Sequence, residues 1–518
     1  VMARRQRQMC IRDRFCCCQS KYTRRLHRLE KRTMKTSLHI CLQAFFALII
    51  WSQPALAGPM IGAALATGFK SFLINMIVSA ITNKIFGKKN NASASAAASG
   101  LLVNKQSNNE HIPVVYGKRR IGGTRTFITT TGGDSTVEGN QAGTNTLLMC
   151  LALCEGQMGN ISQIFFNDTK IFDGTLAHEG TVDDSNDVAT DYSGHFTIEY
   201  KDGRSTQTVS TLLKNAANDT VAGTEQWTNN HTLKGVAYLA LKLPFNAEAY
   251  EGGVPTVTCV IDGKVIVDCQ NISSTTVGAD QNGADVLHDY LLDGVYGKGL
   301  ALGDLNSQSF VDAKTYLANS SRPKLNGVLS TQDSLIDNVE KILSACNGML
   351  VYHNGQYKLK IKGNEGSATR TFDTSNILTD VTVSLTDIKN RLNKITINFA
   401  NKDTDTNYND DVVIRSNSTY LTEDAARLLE TTIDMPMITG ESTIIDMADY
   451  IMDSTRDAMI ITFEGAHTQF GVEAGEIIKV TLDDYGFSNK QFRVLQTELT
   501  PENTISIVAQ EYTQSIHI

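Results

Sequence analysis

Residues 349–361 read MLVYHNGQYKLKI, and this stretch decides the class of fold. Two strand-like runs, 349–353 and 356–361, are separated by two residues only. Those two, Asn354-Gly355, tolerate the left-handed backbone that a type I′ turn needs. The stretch is therefore predicted to be a β-hairpin.

A helix is predicted directly before this hairpin. Ser330-Thr331-Gln332-Asp333 resembles a capping box, which would start the helix. Asn347-Gly348 would end it, because both residues tolerate the left-handed conformation found after helix C-termini. Apolar residues at helical spacing fill one face between these ends: Leu335, Ile336, Val339, Ile342 and Leu343.

The pattern on either side of residues 281–362 is mostly β. Helices are predicted over 284–292, 425–430 and 444–456, with short ones in the polar stretch 203–234. Asp262-Gly263 is predicted to form a second type I′ hairpin turn. Strands are predicted over 112–117, 144–154, 161–166, 170–172, 257–267, 391–399, 458–463, 477–482, 491–498 and 504–511. The predicted fold is mainly β with an α+β insert, built as several small β-barrel or sandwich domains plus an N-terminal apolar helix.

The amino-acid composition excludes several classes of protein. A chain of 518 residues with 39 Gly and only 8 Pro is neither a small disulfide scaffold nor a collagen-like repeat. Residues 60–518 hold 35 basic and 53 acidic residues, a net charge of −18. Because phosphate binding needs clustered Lys and Arg, we expect no specific nucleic-acid binding.

The first 59 residues are treated separately. Residues 1–33 are basic and contain 9–14 (MCIRDR), which resembles a translated sequencing-adapter end, so we interpret them as artefact or untranslated sequence. Residues 34–59 form a signal-like apolar leader with Ala55-Leu56-Ala57 at a cleavage-like site. We expect the true start at Met34 or Met60, and no efficient export.

Residues 60–86 are apolar and rich in small residues, with a helical period, and are predicted to form an apolar helix. Two interpretations stay open: a helix that contacts a membrane or plugs a channel, and a helix packed between subunits. Residues 87–107, which open with the low-complexity run GKKNNASASAAASG, are predicted to be a flexible linker.

Sequence motifs for catalysis are lacking. There is no Gly-x-Ser-x-Gly elbow, no HExxH and no phosphate-binding loop, and His178-Glu179 lacks a second histidine. Residues 403–407 begin like a calcium loop, but Tyr408 stands where that loop needs glycine. Five scattered cysteines after residue 60 form no disulfide framework. We predict no enzyme, no catalytic, cofactor-binding or metal residues, and no cofactor.

Several segments together resemble the central hub, or tip attachment protein, of lambda-like flexible-tailed phages. Residues 111–120 (HIPVVYGKRR), which follow the apolar segment, are similar to the end of that family's tail assembly protein I. The segments that carry the hub resemblance are 296–300 (YGKGL), 326–328 (NGV), 334–338 (SLIDN), 354–359 (NGQYKL), 391–395 (RLNKI), 472–478 (VEAGEII) and 492–494 (FRV).

The resemblance implies a structural virion protein at the tail tip, assembled in the host cytoplasm. Such hubs form a ring, usually a homotrimer, that closes the distal tail tube and takes part in host attachment and DNA delivery. Its partners would be the distal tail protein, the tail tube, the tape measure protein and a host surface receptor, with membrane contact through residues 60–86. No receptor-binding extension follows the predicted barrel, so host recognition is expected on another protein, or the gene is cut short.

The resemblance also sets the expected domains: a β-rich hub domain over 108–280, an α+β hub domain over 281–370 and a barrel-like hub domain over 371–518. Two alternatives stay open. One is a secreted or outer-membrane-associated β-rich adhesin, which would use the leader. The other is a tail-associated cell-wall hydrolase.

Overall fold

The computed structural model describes residues 102–105, 111–131, 146–183, 192–217, 227–244, 246, 248–250, 253–363, 366–402 and 408–516. The leader over 34–59, the predicted apolar helix over 60–86 and the calcium-loop-like stretch 403–407 lie outside these residues. So does the predicted linker, apart from 102–105.

The described residues are mainly β, as predicted, with short helices between the sheets. The helices are α1 Thr211–Ala217, α2 Gly283–Leu292, α3 Ser307–Leu317, α4 Leu335–Ala345, α5 Ser418–Glu423 and α6 Glu441–Ser454. The strands are β1 Val114–Tyr116, β2 Lys118–Gly122, β3 Thr124–Thr131, β4 Thr146–Glu155, β5 Ile161–Phe166, β6 Thr169–Leu176, β7 Thr181–Val182, β8 Thr197–Asp202, β9 Val236–Pro244, β10 Val257–Asp262, β11 Ile266–Val267, β12 Thr275–Thr276, β13 Gly327–Leu329, β14 Gly348–His353, β15 Gln356–Ile361, β16 Arg370–Phe372, β17 Thr382–Leu385, β18 Lys394–Asn401, β19 Asn409–Ser416, β20 Glu430–Asp434, β21 Met459–Gly465, β22 Ile477–Leu482, β23 Phe487–Leu499 and β24 Ile505–Glu511.

The N-terminal part is a sandwich of two sheets. One sheet has the strand order β3-β4-β9-β8-β7 and the other β2-β10-β5-β6. Their inner faces share one core, to which Leu151 and Leu239 come from the first sheet and Ile164 and Cys259 from the second. The outer face of the five-stranded sheet is covered by α1, whose Leu213 packs in a smaller cluster. Strand β4 is thus buried on both faces, as its continuous apolar run predicts.

A second core is assembled from segments far apart in the chain. It joins β1, helices α2 to α4 and the β14–β15 hairpin to a three-stranded sheet of order β19-β18-β20, which is covered on one face by α6. Val114 near the start of the described chain and Met452 in α6 belong to this one core. The domain bounds expected from the sequence, 108–280, 281–370 and 371–518, stay predictions.

Strands β16, β17 and β21 to β24 form a barrel-like sheet of order β16-β22-β23-β24-β21-β17. Its two edge strands, β16 and β17, are consecutive in the chain. Strand β16 pairs with β22, and strand β17 pairs with β21. The Tyr485 hydroxyl donates to Val381 O at 2.9 Å and ties the connection after β22 to the start of β17. Core residues such as Phe372, Phe463 and Phe492 all come from this sheet, so the sheet closes on its own interior.

The predicted hairpin at 349–361 is confirmed. Strands β14 and β15 pair from Gly348↔Ile361 to His353↔Gln356. Asn354 and Gly355 have φ values of 51° and 80°, as a type I′ turn requires. The preceding helix is also confirmed, and Asn347 follows it with φ 56°.

Three local predictions are wrong. Asp262-Gly263 does not join a hairpin, because β10 lies between β2 and β5 and its next residues lead to β11. The helix predicted over 425–430 is a turn, in which Ala425 and Ala426 have φ values of 56° and 58°. Helix α4 is capped by Ser334 rather than by Ser330.

Candidate assembly surfaces

A buried asparagine joins three separate segments of the chain. The Asn326 Oδ1 accepts from the backbone N–H of Lys118 at 2.9 Å and of Asp280 at 2.8 Å. Its Nδ2 donates to Asp280 Oδ1 at 2.7 Å and to Thr439 Oγ1 at 3.2 Å. The backbone N–H of Asn326 donates to Met437 O. The hydrogen bonds of Asn326 therefore connect the sandwich, the α2 region and the segment after β20.

A buried ion pair makes the second connection between the sandwich and the helices. Lys264 Nζ lies 2.8 Å from Asp289 Oδ1, and the two side chains are 10% and 11% exposed. The Tyr116 hydroxyl donates to Asp289 Oδ2 at 2.7 Å, and the Tyr296 hydroxyl also donates to it, at 3.0 Å. Burial and the negative charge of Asp289 raise the pKa of both tyrosines well above the ordinary value, so both stay hydroxyl donors.

Four of the segments that carry the family resemblance, 296–300, 326–328, 334–338 and 354–359, meet in this region. Tyr296 touches the ion pair, Asn326 forms the junction, and Ser334 caps α4. Lys298 donates from Nζ to the Tyr357 hydroxyl at 2.5 Å and lies over the Tyr357 ring. These residues are thus structural contacts around the second core, whereas the quoted segments 472–478 and 492–494 contribute to the core of the barrel-like sheet.

A single carboxylate joins the hairpin to the barrel. The Glu473 carboxylate receives the Lys358 ammonium at 2.6 Å and lies 3.2 Å from His353 Nε2. Lys360 lies 3.5 Å from Glu473 and donates to Ala474 O at 2.9 Å. Burial works to raise the pKa of Glu473, but the Lys358 hydrogen bond and the charges of Lys360 and His353 outweigh it and hold the pKa below its ordinary range.

One face of the three-stranded sheet carries exposed apolar side chains. Strand β18 pairs with β19 at Thr396↔Ile414 and with β20 at Lys394↔Glu430. Inward residues of these strands pack on α6, while Val412 and Ile414 point outward and are 50% and 61% exposed. The charged residues with the same outward parity are Lys394, Asp410, Glu430 and Asp434, and we call this face the outer sheet face. Its exposed apolar members are Val412 and Ile414.

The first turn of α4 is a second exposed apolar surface, and it is flanked by acidic residues. Leu335 and Ile336 are exposed although they lie next to a buried core. Asp333, Asp337 and Glu340 flank them, and Lys341 pairs with Asp333. We call residues 333–341 the acidic helix tip.

The histidines considered for chemistry lie apart and serve as structural partners. His178 Nδ1 lies 2.6 Å from Asp202 Oδ1, within the five-stranded sheet's polar edge. His288 is buried in α2 against Phe310, whereas His111 and His467 are exposed. Among the described ranges, no three His, Cys, Asp or Glu side chains are grouped so that they could hold a metal ion.

The cysteines of β4 face opposite sides of their sheet. Cys150 packs in the outer cluster and Cys154 in the sandwich core, because a bulge between Ala152 and Cys154 shifts the register. Burial raises the pKa of both thiols to about 12. They are inert core residues, as the apolar run around them predicts.

Sequence reasoning missed the buried charges. Lys201, which is 2% exposed, pairs with Glu199, and Arg456 pairs with Asp424 at 2.9 Å. Lys264 and Asp289 were missed as well. The partners of Lys264 and Arg456 are 25 and 32 residues away and leave no local signal. Lys201 and Glu199 are close in sequence, but their alternation within β8 does not show that the face they share is buried. The alternation in β4, β8 and β18 indicates strands but does not reveal such pairs.

No family model matches this chain. It is 23% identical over 470 residues to the baseplate hub protein pb3 of Escherichia phage T5, an alignment that takes in 79% of this chain and 48% of that protein. Its fold matches a chain of the virion of a native gene transfer agent particle, with a TM-score of 0.56 and 11% identity, covering 90% of this chain and 98% of that one.

The chain is related to structural proteins of phage tails and baseplates. It spans about half the length of the T5 relative. A 43 kDa tail protein of prophage MuSo2 from Shewanella oneidensis aligns with 78% of this chain at 7% identity and with a TM-score of only 0.29. None of the helices in the described residues is both long and apolar enough to span a membrane.

Proposed function

We propose that this chain is a structural hub at the tip of a phage tail, where it closes the distal end of the tail tube. The observation that carries the proposal is the 470-residue alignment with a baseplate hub protein, which runs through most of the described chain. The fold shared with a gene transfer agent virion chain agrees with it.

The internal contacts suit a rigid component of a ring. The sandwich, the helical core and the barrel are joined by buried polar contacts at Asn326, at Lys264–Asp289 and at Glu473. A subunit that closes a tube must keep its parts in fixed relation, and buried hydrogen-bonded pairs fix geometry better than apolar contacts alone. Exposed apolar surfaces on the same subunit are typical of proteins that work inside assemblies.

The finer parts of the proposal come from the family resemblance. We propose a homotrimer that contacts the distal tail protein, the tail tube and the tape measure protein, and that takes part in host attachment and DNA delivery. Residues 60–86 would contact a membrane or neighbouring subunits, and residues 111–120 would descend from a tail-assembly-protein-I-like segment. A net charge of −18 over residues 60–518 would let DNA pass without sticking, because like charges gain nothing from counterion release.

Electron microscopy of virions tests the proposal. Gold-labelled antibodies against residues 253–363 should mark the distal end of the tail, and particles that lack the chain should fail to complete a tail tip. Labelling of the capsid or the tail shaft, or normal tails without the chain, would overturn the hub assignment.

A further inference from the structure

We propose that Asn354 is a modification site, at which the exposed hairpin turn converts the asparagine amide into aspartate and isoaspartate without an enzyme. Such deamidation is favoured where glycine follows asparagine, because a residue without a side chain leaves its backbone nitrogen unhindered. The chain contains four Asn-Gly dipeptides, which begin at Asn282, Asn326, Asn347 and Asn354. Their sequence signal is the same, and their surroundings in the fold are not.

The two groups that must meet are both available at the hairpin turn. Asn354 and Gly355 are exposed, and the last paired residues of the hairpin are His353 and Gln356. The backbone N–H of Gly355 and the side chain of Asn354 form no hydrogen bond with any described residue. A Cβ added at Gly355 would meet no atom within 4 Å, so the turn is not crowded around this glycine.

Asn282 and Asn326, in contrast, are held by hydrogen bonds of their side-chain amides. Asn282 caps α2, where its Oδ1 accepts from Ala284 N and its Nδ2 donates to Lys314 O, both at 3.0 Å. The buried Asn326 also uses both amide atoms, since Oδ1 accepts from Asp280 N and Nδ2 donates to Asp280 Oδ1. Reaction at either position would first require these bonds to break.

The glycine after Asn347 is held in a strand. Gly348 pairs with Ile361 at the start of β14, and the backbone carbonyl of Asn347 accepts from Lys362 N at 3.0 Å. Segments closed in this way react only in the small fraction of molecules that open locally, so their rate is reduced by the free energy of opening. Asn354 needs no such opening.

The reaction balances with water as its co-reactant. The backbone nitrogen of Gly355 loses its proton and attacks Cγ of Asn354, which forms a new C–N bond. The bond between Cγ and Nδ2 breaks, and Nδ2 takes up a proton and leaves as ammonia. Water then opens the resulting cyclic imide. Attack at Cγ gives aspartate, and attack at the main-chain carbonyl carbon gives isoaspartate, in which the backbone runs through Cγ.

The two products act differently on the hairpin. Aspartate adds a negative charge, but it tolerates a left-handed backbone as asparagine does, and residue 354 has φ 51°. Isoaspartate inserts a CH₂ group into the backbone of a turn whose length sets the register of β14 with β15. We therefore expect isoaspartate to weaken the pairing of His353 with Gln356 and the contact of His353 with Glu473.

Peptide mapping of the full chain by mass spectrometry tests the site. In folded protein kept at pH 9, Asn354 should be converted about ten-fold faster or more than each of the other three asparagines. Conversion should be slower at pH 6, because the Gly355 nitrogen must lose its proton. In urea the four positions should react at similar rates, since the fold no longer protects three of them.

Asn354→Gln is the matched control, because glutamine keeps the amide but forms a cyclic imide much more slowly. After storage, hydrogen exchange at the Gln356 amide should be faster in the unaltered chain and unchanged in this variant. The proposal is overturned if folded protein keeps the Asn354 amide while urea exposes it to reaction, or if another Asn-Gly pair reacts as fast in the folded chain. Unchanged exchange at Gln356 after conversion would overturn the predicted weakening of the hairpin.

Discussion

At the scale of single residues, the molecule depends on charges that are buried and paired. Lys264 and Asp289 connect the sandwich to helix α2, and Tyr116 and Tyr296 complete the hydrogen bonds of the carboxylate. A buried pair of this kind adds little net stability over an apolar pair of the same shape. Removing one partner is costly, because it leaves an uncompensated charge in the interior.

We therefore expect Lys264→Met to destabilise the chain by about 3–5 kcal/mol, measured as a lower midpoint of urea unfolding. Lys389→Met is the matched control, since Lys389 is 84% exposed and its loss should change the midpoint little. Adding Asp289→Leu to Lys264→Met should recover part of the loss. Equal effects of the Lys264 and Lys389 changes would contradict the assignment.

Cysteine chemistry gives a second prediction at this scale. Burial raises the pKa of Cys150, Cys154, Cys259 and Cys346 to about 12, so almost no reactive thiolate is present at pH 8. Peptide mapping after maleimide treatment of the native protein should find these four thiols unmodified, whereas the same treatment in urea should modify all of them. Rapid native labelling of any of the four would show that its surroundings are open.

At the scale of elements, Ser330 and Ser334 play different roles at the start of α4. The Ser334 Oγ accepts from the backbone N–H of Asp337 at 3.2 Å, which satisfies a free donor in the first turn. The hydroxyl of Ser330, the residue that the sequence pattern favours as the cap, accepts from Gln332 N in the preceding turn.

Ser334→Ala should cost about 1 kcal/mol and should speed hydrogen exchange at the Asp337 amide. Ser330→Ala is the control, with an expected cost of a few tenths of a kcal/mol and no change at that amide. NMR or mass-spectrometric exchange resolves the two. A larger effect from Ser330 would restore the sequence-based cap.

What the sequence could predict depends on how local the cause is. The Asn354-Gly355 turn and strands β5, β22 and β24 follow from neighbouring residues, and they were predicted almost to the residue. Asp262-Gly263 carries a similar turn signal, yet a Cβ at Gly263 would lie 2.5 Å from Val115 O, so this glycine serves close packing instead. The assembly surfaces could not be predicted, because the alternation in β19 does not say which face stays uncovered.

At the scale of the whole molecule, Glu473 holds the barrel against the hairpin. Its pKa is held below the ordinary glutamate value, so the contact stabilises the fold above that value, about 4.3, and is lost as the pH falls through the lower folded-state pKa. The groups that face the carboxylate are His353, Lys358 and Lys360, together with Glu476, which accepts from the Glu473 backbone N–H.

Glu473→Gln should accordingly lower the melting temperature at pH 7, and the difference from the unaltered protein should shrink as the pH falls below about 4.3. Glu502→Gln, an exposed barrel position, is the control and should show no such pH-dependent difference. A difference for Glu473→Gln that stays constant from pH 7 to pH 3 would mean that the carboxylate charge does not hold the joint.

Because the second core needs both Val114 and Met452, it cannot be completed on the ribosome until most of the chain has been synthesised. Because translation adds about 5–20 residues per second, strand β1 emerges roughly 20 to 70 s before α6 exists to cover its core. The sandwich can fold early. The helices and the hairpin of the second core remain part of the nascent chain, with their apolar faces exposed to solvent. Chaperone capture during this interval, rather than the stability of the finished subunit, should then limit how much of the protein is produced.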